Sequence, residues 1–229
     1  MRVLALNGSP HLEKGGTASI LGPFLEGMEE AGAEVELFYV YQLDIKPCLG
    51  CHSCWNRTPD QCAQKDDMEM LYPRLAAADV IVLGTPVYVD GMTGVMKTMV
   101  DRILPLVEGP IEARRGRCRH ILREGVKSGK VVLVSTCGYP ELATFDPLVA
   151  HVGAICENLD REFAGALLRP YTWLLGNLQE GGAPVDDVYE AARDAGRQLV
   201  QKGHITAQTM AAVGREFMSP EEYAAKFRA

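Results

Sequence analysis

DVIVLGTPVY, residues 79–88, is the stretch on which the fold turns. Val80 to Leu83 is an unbroken apolar run, closed by Gly84, Thr85 and Pro86. A strand that is apolar at every position, rather than at every second one, is covered on both faces, as in a parallel sheet flanked by helices. Strands are also read in RVLALN (2–7), a short apolar run of the same kind, in VELFYVY (35–41), in KVVLVS (130–135) and near Phe163 to Leu168. Helical spacing fills the intervals: Ile20, Leu21, Phe24, Leu25 and Met28, then Met68, Leu71 and Leu75, then Val95, Met96, Met99 and Val100. Further helices are predicted over about 144–159 and 185–201. Five strands alternating with helices predict an α/β fold, a doubly wound five-stranded parallel sheet of strand order 2-1-3-4-5.

Details of punctuation follow. Gly32 ends the first helix, and Pro23 predicts a distorted first turn in it. Ser219-Pro220-Glu221-Glu222 is a helix start, with Ser at the cap and Pro at the first helical position. Residues 1–204 read as one domain and 205–229 as its C-terminal helical extension. Two segments exceed the minimal plan: a cysteine-rich loop after strand 2, and residues 105–129.

The chain has 229 residues, 47% of them apolar, enough for one large core. A net charge of −7 argues against nucleic acid and against anionic membranes. The apolar run at the N-terminus is too short for a signal-peptide core, and no stretch approaches the length of a membrane span. The expectation is a cytoplasmic protein with reduced thiols; seven cysteines, an odd number, fit a disulfide scaffold poorly.

Ligands of an open α/β sheet bind beyond the carboxyl ends of the strands, where strand order reverses. Three loops fall there. The first, GSPHLEKGGTAS (8–19), has neither G-x-G-x-x-G nor a nucleoside-triphosphate loop; it offers Ser9, Gly15, Gly16, Thr17 and Ser19 at a helix start, suited to one phosphate or equally to an ordinary turn. TPVYVDGMTG (85–94) supplies Tyr88 and Met92 as apolar surface for a planar ring. STCGYPE (135–141) repeats the pattern with Tyr139. Each alone is also readable as a mobile or packing loop.

LNGSPH followed by GGT, the PCLGCHSCW run leading to KDDM, ADVIVLGTPVYVDGMTGVMKTMVDR and VVLVSTCGYPE, in this order, resemble the flavodoxin-like NAD(P)H-dependent FMN reductase family, and within it the iron–sulfur flavoprotein branch. The resemblance covers roughly residues 1 to 200. It implies FMN with its phosphate in the loop from Ser9 to Thr17, held by Ser9, His11, Gly16, Thr17 and Ala18. Its ring is implied to meet Thr85, Pro86, Val87, Tyr88 and Gly91 on one side and Cys137, Gly138 and Tyr139 on the other. Homodimers or homotetramers with the flavin near a subunit interface are implied too. His11 stands where relatives carry Arg, and Gly16 where Asn is usual.

PCLGCHSCWNRTPDQC, residues 47–62, concentrates Cys48, Cys51, Cys54 and Cys62. Three thiols within seven residues strain a zinc tetrahedron but suit the corners of a cubane, with Cys62 as fourth ligand of one [4Fe–4S] cluster. Zinc, and thiols without metal, stay open as alternatives. Cys156 reads as a small core residue, and Cys137 as either packing or tuning of the ring site.

Residues 112–130 carry seven Lys or Arg against two Glu, readable as a landing site for NAD(P)H phosphates or an acidic electron carrier, or as a solvated excursion paired with a neighbouring subunit. Three functions compete on these residues. The first is an electron-transfer flavoprotein joining FMN to a cluster and serving a ferredoxin-type carrier. The second is an NAD(P)H-dependent reductase of a small-molecule acceptor such as a quinone, nitro compound or flavin. The third is a thiol or metal redox sensor without turnover.

Overall fold

A computed structural model describes residues 1–114, 116–181 and 184–226, with the side chains of Gln179 and Glu180 left aside. In chain order the elements are β1 (Arg2–Asn7), α1 (Gly16–Glu30), β2 (Glu34–Tyr39), α2 (Ser53–Asn56), α3 (Met68–Ala77), β3 (Val80–Pro86), α4 (Gly94–Asp101), β4 (Val107–Arg114), β5 (Arg117–Leu122) and β6 (Lys130–Thr136). They continue with α5 (Asp146–Asn158), β7 (Glu162–Arg169), α6 (Thr172–Glu180), α7 (Asp186–Lys202), α8 (Ala207–Val213) and α9 (Pro220–Ala225). The main sheet is parallel throughout, in the order β2-β1-β3-β6-β7, which is the predicted 2-1-3-4-5 once the β4–β5 hairpin is set apart.

Side-chain alternation along each strand divides the core. Leu4, Leu6, Ile81, Leu83, Val131 and Leu133 face one layer, formed by α3, α4 and α5. Val3, Ala5, Val80, Val82, Val132 and Val134 face the other, formed mainly by α1 and α7. Both faces are thus closed, which is why the three central strands read as continuous apolar runs.

Three features depart from expectation. α1 begins at Gly16, so Pro23 falls in its middle, not its first turn, and the helix runs unbroken. Ser19, whose carbonyl loses the donor four residues on, and Pro23 itself both lie on the half-exposed side, where the loss costs least. Residues 105–129 contain an antiparallel hairpin, disguised in the sequence by Gly109-Pro110 inside β4 and by its charge. Finally, α6 and α8 were not anticipated: α6 is short and carries Gly176 mid-helix.

α1 and α7 cross with their backbones in contact. A Cβ on Gly27 would stand 1.9 Å from the Arg193 carbonyl oxygen, and one on Gly196 would stand 2.1 Å from that of Phe24. Neither neighbour is a yielding side chain. Gly196→Ala is therefore expected to lose about 1–3 kcal/mol, read as a lower urea midpoint at unchanged m-value.

Candidate functional site

The carboxyl ends of β1, β3 and β6 lie side by side, and a web of buried hydroxyls binds their loops together. Thr17 and Thr136 share a hydrogen bond at 3.0 Å. Thr93 donates its hydroxyl to the Gly8 carbonyl at 2.7 Å and its N–H to Thr85 Oγ1 at 3.1 Å. Ser135 donates to the Thr85 carbonyl at 2.7 Å. Thr17 and Thr85 are almost wholly buried, and their hydroxyls are engaged in fixing the loops.

In the first loop Asn7 Oδ1 accepts from the Ser9 N–H at 2.9 Å, and Ser9 Oγ accepts from the His11 N–H at 3.3 Å. α1 then opens from Gly15, which has no side chain to cap it, and its first turn carries no acid. The N–H groups of Gly16 and Thr17 therefore start the helix without intrahelical acceptors, as an anion requires. Ala18 is tied back to the Gly15 carbonyl at 2.9 Å. Gly16 abuts Thr172, leaving no room for a Cβ. His11 is exposed.

The second loop leaves β3 through half-buried Pro86 and is held by the Val87 N–H on the Thr136 carbonyl at 2.9 Å. Tyr88 and Gly91 then exchange both main-chain hydrogen bonds, at 2.9 and 3.1 Å, around Val89 (φ +47°) and Asp90 (φ +60°). This is a type I′ turn built without glycine at its centre, and a β-branched residue in the left-handed region is strained.

In the third loop the three carbonyls from Cys137 to Tyr139 are engaged. Cys137 O accepts from the N–H and hydroxyl of Thr172 at 3.0 and 2.8 Å, Gly138 O from the Tyr223 hydroxyl at 2.6 Å, and Tyr139 O from the Tyr171 N–H at 3.1 Å. The Gly138 N–H has no acceptor among the described residues. Burial pushes the Cys137 thiol up, so it remains protonated at neutral pH.

An open cavity of about 730 Å³ lies between the second and third loops, a size usual for small-molecule sites. Of the thirteen residues anticipated around FMN, Val87, Cys137, Gly138 and Tyr139 line it. Ser9, His11, Gly16, Thr17 and Ala18 gather instead at the start of α1, Thr85 and Pro86 end β3, and Tyr88 and Gly91 form the base of the turn. Trp173 and, from α9, Pro220, Tyr223 and Ala224 also line the cavity and were missed. The Ser219 cap announced α9, but nothing in its sequence announces where it docks.

The four thiols occupy unlike surroundings. Cys48 and Cys51 are exposed, Cys54 is buried within α2, and Cys62 is partly buried. The Ser53 hydroxyl, then its N–H, hold the Cys51 thiol below the ordinary range, while burial pushes Cys54 up. Among the described residues no group of three or more His, Cys, Asp or Glu converges in a way that holds a metal ion.

Cys62 Sγ accepts from Arg102 Nη2 at 3.3 Å. That guanidinium is fully buried and grips Asp66 at 2.7 and 3.1 Å, with the Lys46 carbonyl as a further acceptor at 2.6 Å. Burial alone would raise the Asp66 carboxyl; Arg102 and the N–H groups of Lys46 and Met68 outweigh it and hold the group below the usual carboxylate range. Trp55, next to Cys54, donates its indole N–H to the carbonyls of Leu104 and Val107 at 3.2 and 3.0 Å and stacks on His120 at 4.4 Å. The cysteine loop and the hairpin are thereby one packed unit.

The basic segment is largely neutralised within the chain. Arg114 pairs with Asp160, Arg119 with Glu157, Lys127 with Asp79 and Lys130 with Glu162. Arg123 donates to the carbonyls of Cys54, Pro105 and Val107. Arg115 lies outside the described residues, as do the last three residues of the C-terminal extension.

Residues 1–136 match the NADPH-dependent FMN reductase family, a family of flavin oxidoreductases, and the chain belongs to it. Its likeness to the iron–sulfur flavoprotein branch is borne out. An iron–sulfur flavoprotein of Archaeoglobus fulgidus is 33% identical over 129 residues, 56% of this chain and 62% of that protein. Another, from Methanocaldococcus jannaschii, is 38% identical over 117 residues, 51% of this chain and 58% of that protein. The chain thus spans about three fifths of the length of these curated relatives. An FMN-dependent NADH-azoreductase from Bacillus anthracis, solved in complex with FMN, superposes with a TM-score of 0.64 at 14% identity over 87% of this chain and 99% of that one. A flavone reductase gives 0.61 at 20% identity over 100% and 72%. These two likenesses carry the flavodoxin-like fold.

Removing one partner of the buried ion pair leaves an uncompensated charge. Arg102→Met is expected to cost about 3–5 kcal/mol, measured by urea unfolding. Combining it with Asp66→Leu is expected to recover only part of that loss, since the unpaired charge is gone but the Lys46 carbonyl and the N–H groups of Lys46 and Met68 lose these partners.

Proposed function

We propose that the protein is an FMN-dependent oxidoreductase that joins two-electron flavin chemistry to a one-electron [4Fe–4S] centre. The observation that carries the flavin half is the open cavity between the loops that follow β3 and β6, with the start of α1 tied beside them at the same carboxyl edge through Thr17 and Thr136, in a chain of an FMN reductase family. In this reading Ser9, His11, Gly16, Thr17 and Ala18 receive the phosphate at the start of α1. Thr85, Pro86, Val87, Tyr88 and Gly91 form one wall of the ring site, and Cys137, Gly138 and Tyr139 the other.

The residues present suit that cofactor. An acid-free helix start accepts a phosphate. The third loop, with the carbonyls of Cys137, Gly138 and Tyr139 engaged, leaves the Gly138 N–H without an acceptor among the described residues, available as a donor for a ring carbonyl. Bound FMN would accept a hydride from NAD(P)H and release electrons in pairs or singly. The chain's part is to orient the ring, exclude water from one face and leave the other open to a partner. Exposed Tyr88, Val89, Tyr139 and Trp173 give this edge an apolar rim suited to a second copy, in a homodimer or homotetramer.

Cys48, Cys51, Cys54 and Cys62 are the proposed cluster ligands, and the support is chemical: four thiols in one loop, in relatives named iron–sulfur flavoproteins. The unlike surroundings of these thiols, two exposed and two anchored, favour a second reading, an NAD(P)H-dependent FMN, quinone or nitro reductase whose cysteines are secondary. A small acceptor serves the second reading; a ferredoxin-type carrier serves the first.

Anaerobic purification followed by flavin, iron and sulfide analysis separates them. The first reading expects FMN together with about four iron and four sulfide per chain, and expects Cys54→Ser to lose iron and sulfide while keeping FMN. FMN without iron, with steady NAD(P)H oxidation by a quinone, gives the second. Stoichiometric zinc without sulfide overturns the cluster, and a chain that binds no flavin overturns both.

A further inference from the structure

We infer that the C-terminal segment from Val213 to Ala225 is part of the ring site, with Tyr223 as its positioning residue; this rests on the flavin reading above. The segment is fastened across the carboxyl edge of the sheet. Fully buried Arg169, at the end of β7, donates to the carbonyls of Val213 and Arg215, each at 2.8 Å. Phe217 lies against two guanidiniums, Arg169 at 4.5 Å and Arg215 at 4.7 Å from its ring centre. Tyr171, fully buried with φ +55°, donates its hydroxyl to the Met218 carbonyl at 2.7 Å. A reciprocal Ser219–Glu222 capping box then starts α9.

These contacts deliver one side chain to the third loop. Tyr223 is buried, packs edge-on against Tyr171 at 5.3 Å, and donates its hydroxyl to Gly138 O at 2.6 Å. Gly138 is the position in that loop whose peptides turn most freely. Among the described residues its carbonyl is held by Tyr223 alone, whereas Thr172 and Tyr171 hold the carbonyls on either side. With the hydroxyl removed, the 138–139 peptide keeps only the weak bond of the Tyr139 N–H to Cys137 Sγ, at 3.2 Å, among the described residues, and its oxygen can swing toward the cavity, where it opposes the carbonyl edge of a flavin ring. Tyr223 thus keeps the wall of the site a donor surface. Ala224, the next residue, is exposed and lines the same cavity, so the segment also bounds the space available to the ring.

The test uses the full chain freed of flavin, titrated with FMN. Tyr223→Phe keeps the ring packing and removes only the hydroxyl. Its FMN Kd is expected to rise about tenfold, with a changed visible circular dichroism of the bound flavin and little change in the melting temperature of the flavin-free protein. An unchanged Kd together with an unchanged flavin spectrum overturns the inference. Should that variant not fold, Ala224→Trp decides: its added ring fills the cavity from α9, and an FMN Kd within twofold of the parent overturns the inference. Failure of the parent chain itself to bind FMN is a different result, seen before either variant, and removes the flavin reading rather than this refinement of it.

Discussion

Closing both faces of a parallel sheet is the constraint from which the rest of this structure follows. Each parallel connection needs a crossover helix, so helices cover both faces, and no polar group has a place there without losing its water. Chemistry is displaced to the carboxyl edge, where strands end and loops begin. The hydroxyls of Thr17, Thr85, Thr93, Ser135 and Thr136 meet at that edge because each terminates or follows a strand whose earlier residues are apolar. Their mutual hydrogen bonds hold the loops in one arrangement before any ligand arrives, which is the preorganisation a binding site needs.

That constraint is also what made the sheet readable. Val80 to Leu83 and Val131 to Val134 carry no polar residue to mislead, and their burial on both sides is complete. The doubly wound arrangement followed from the alternation of strands and helices, and the order 2-1-3-4-5 is the one that goes with the flavodoxin-like resemblance. Loops around the edge were identified correctly as a set, yet the roles of single residues within them were not legible. Thr17 and Thr85 have the composition of ligand contacts, yet the Thr17 hydroxyl is engaged with Thr136 and the Thr85 hydroxyl with Pro86 and Thr93 of its own loop. Local sequence tells which groups reach the edge; only the tertiary arrangement tells which of them already have partners.

The cysteine loop shows the opposite case, in which spacing is informative and geometry divides what spacing unites. Cys54 is tied down because Trp55 is bonded to the hairpin, and Cys62 because Arg102 reaches it from the end of α4. Cys48 and Cys51, on the run that precedes α2, are exposed. Two thiols thus sit on anchored backbone and two on an exposed run, and the anchoring of the first two comes from the hairpin and from the Arg102–Asp66 pair.

A single device recurs where loops, helix ends and the C-terminal segment are fastened, and it explains why those attachments were hidden. Arg102 donates to the Lys46 carbonyl beside the cysteine loop, Arg123 to that of Cys54 within it, Arg161 to those of Leu75 and Ala78, and Arg169 to those of Val213 and Arg215 in the C-terminal segment. Irregular backbone carries carbonyls that no ladder satisfies, and a guanidinium presents five donors in a fixed fork, enough to satisfy several of them at once. Burial pushes Arg169 down to about 10, still charged at neutral pH and therefore still a strong donor. In a sequence an arginine reads as surface charge, as Arg123 does within its basic segment. Here arginine is the clamp that holds loop and tail against the edge, and the geometry of both candidate centres depends on it.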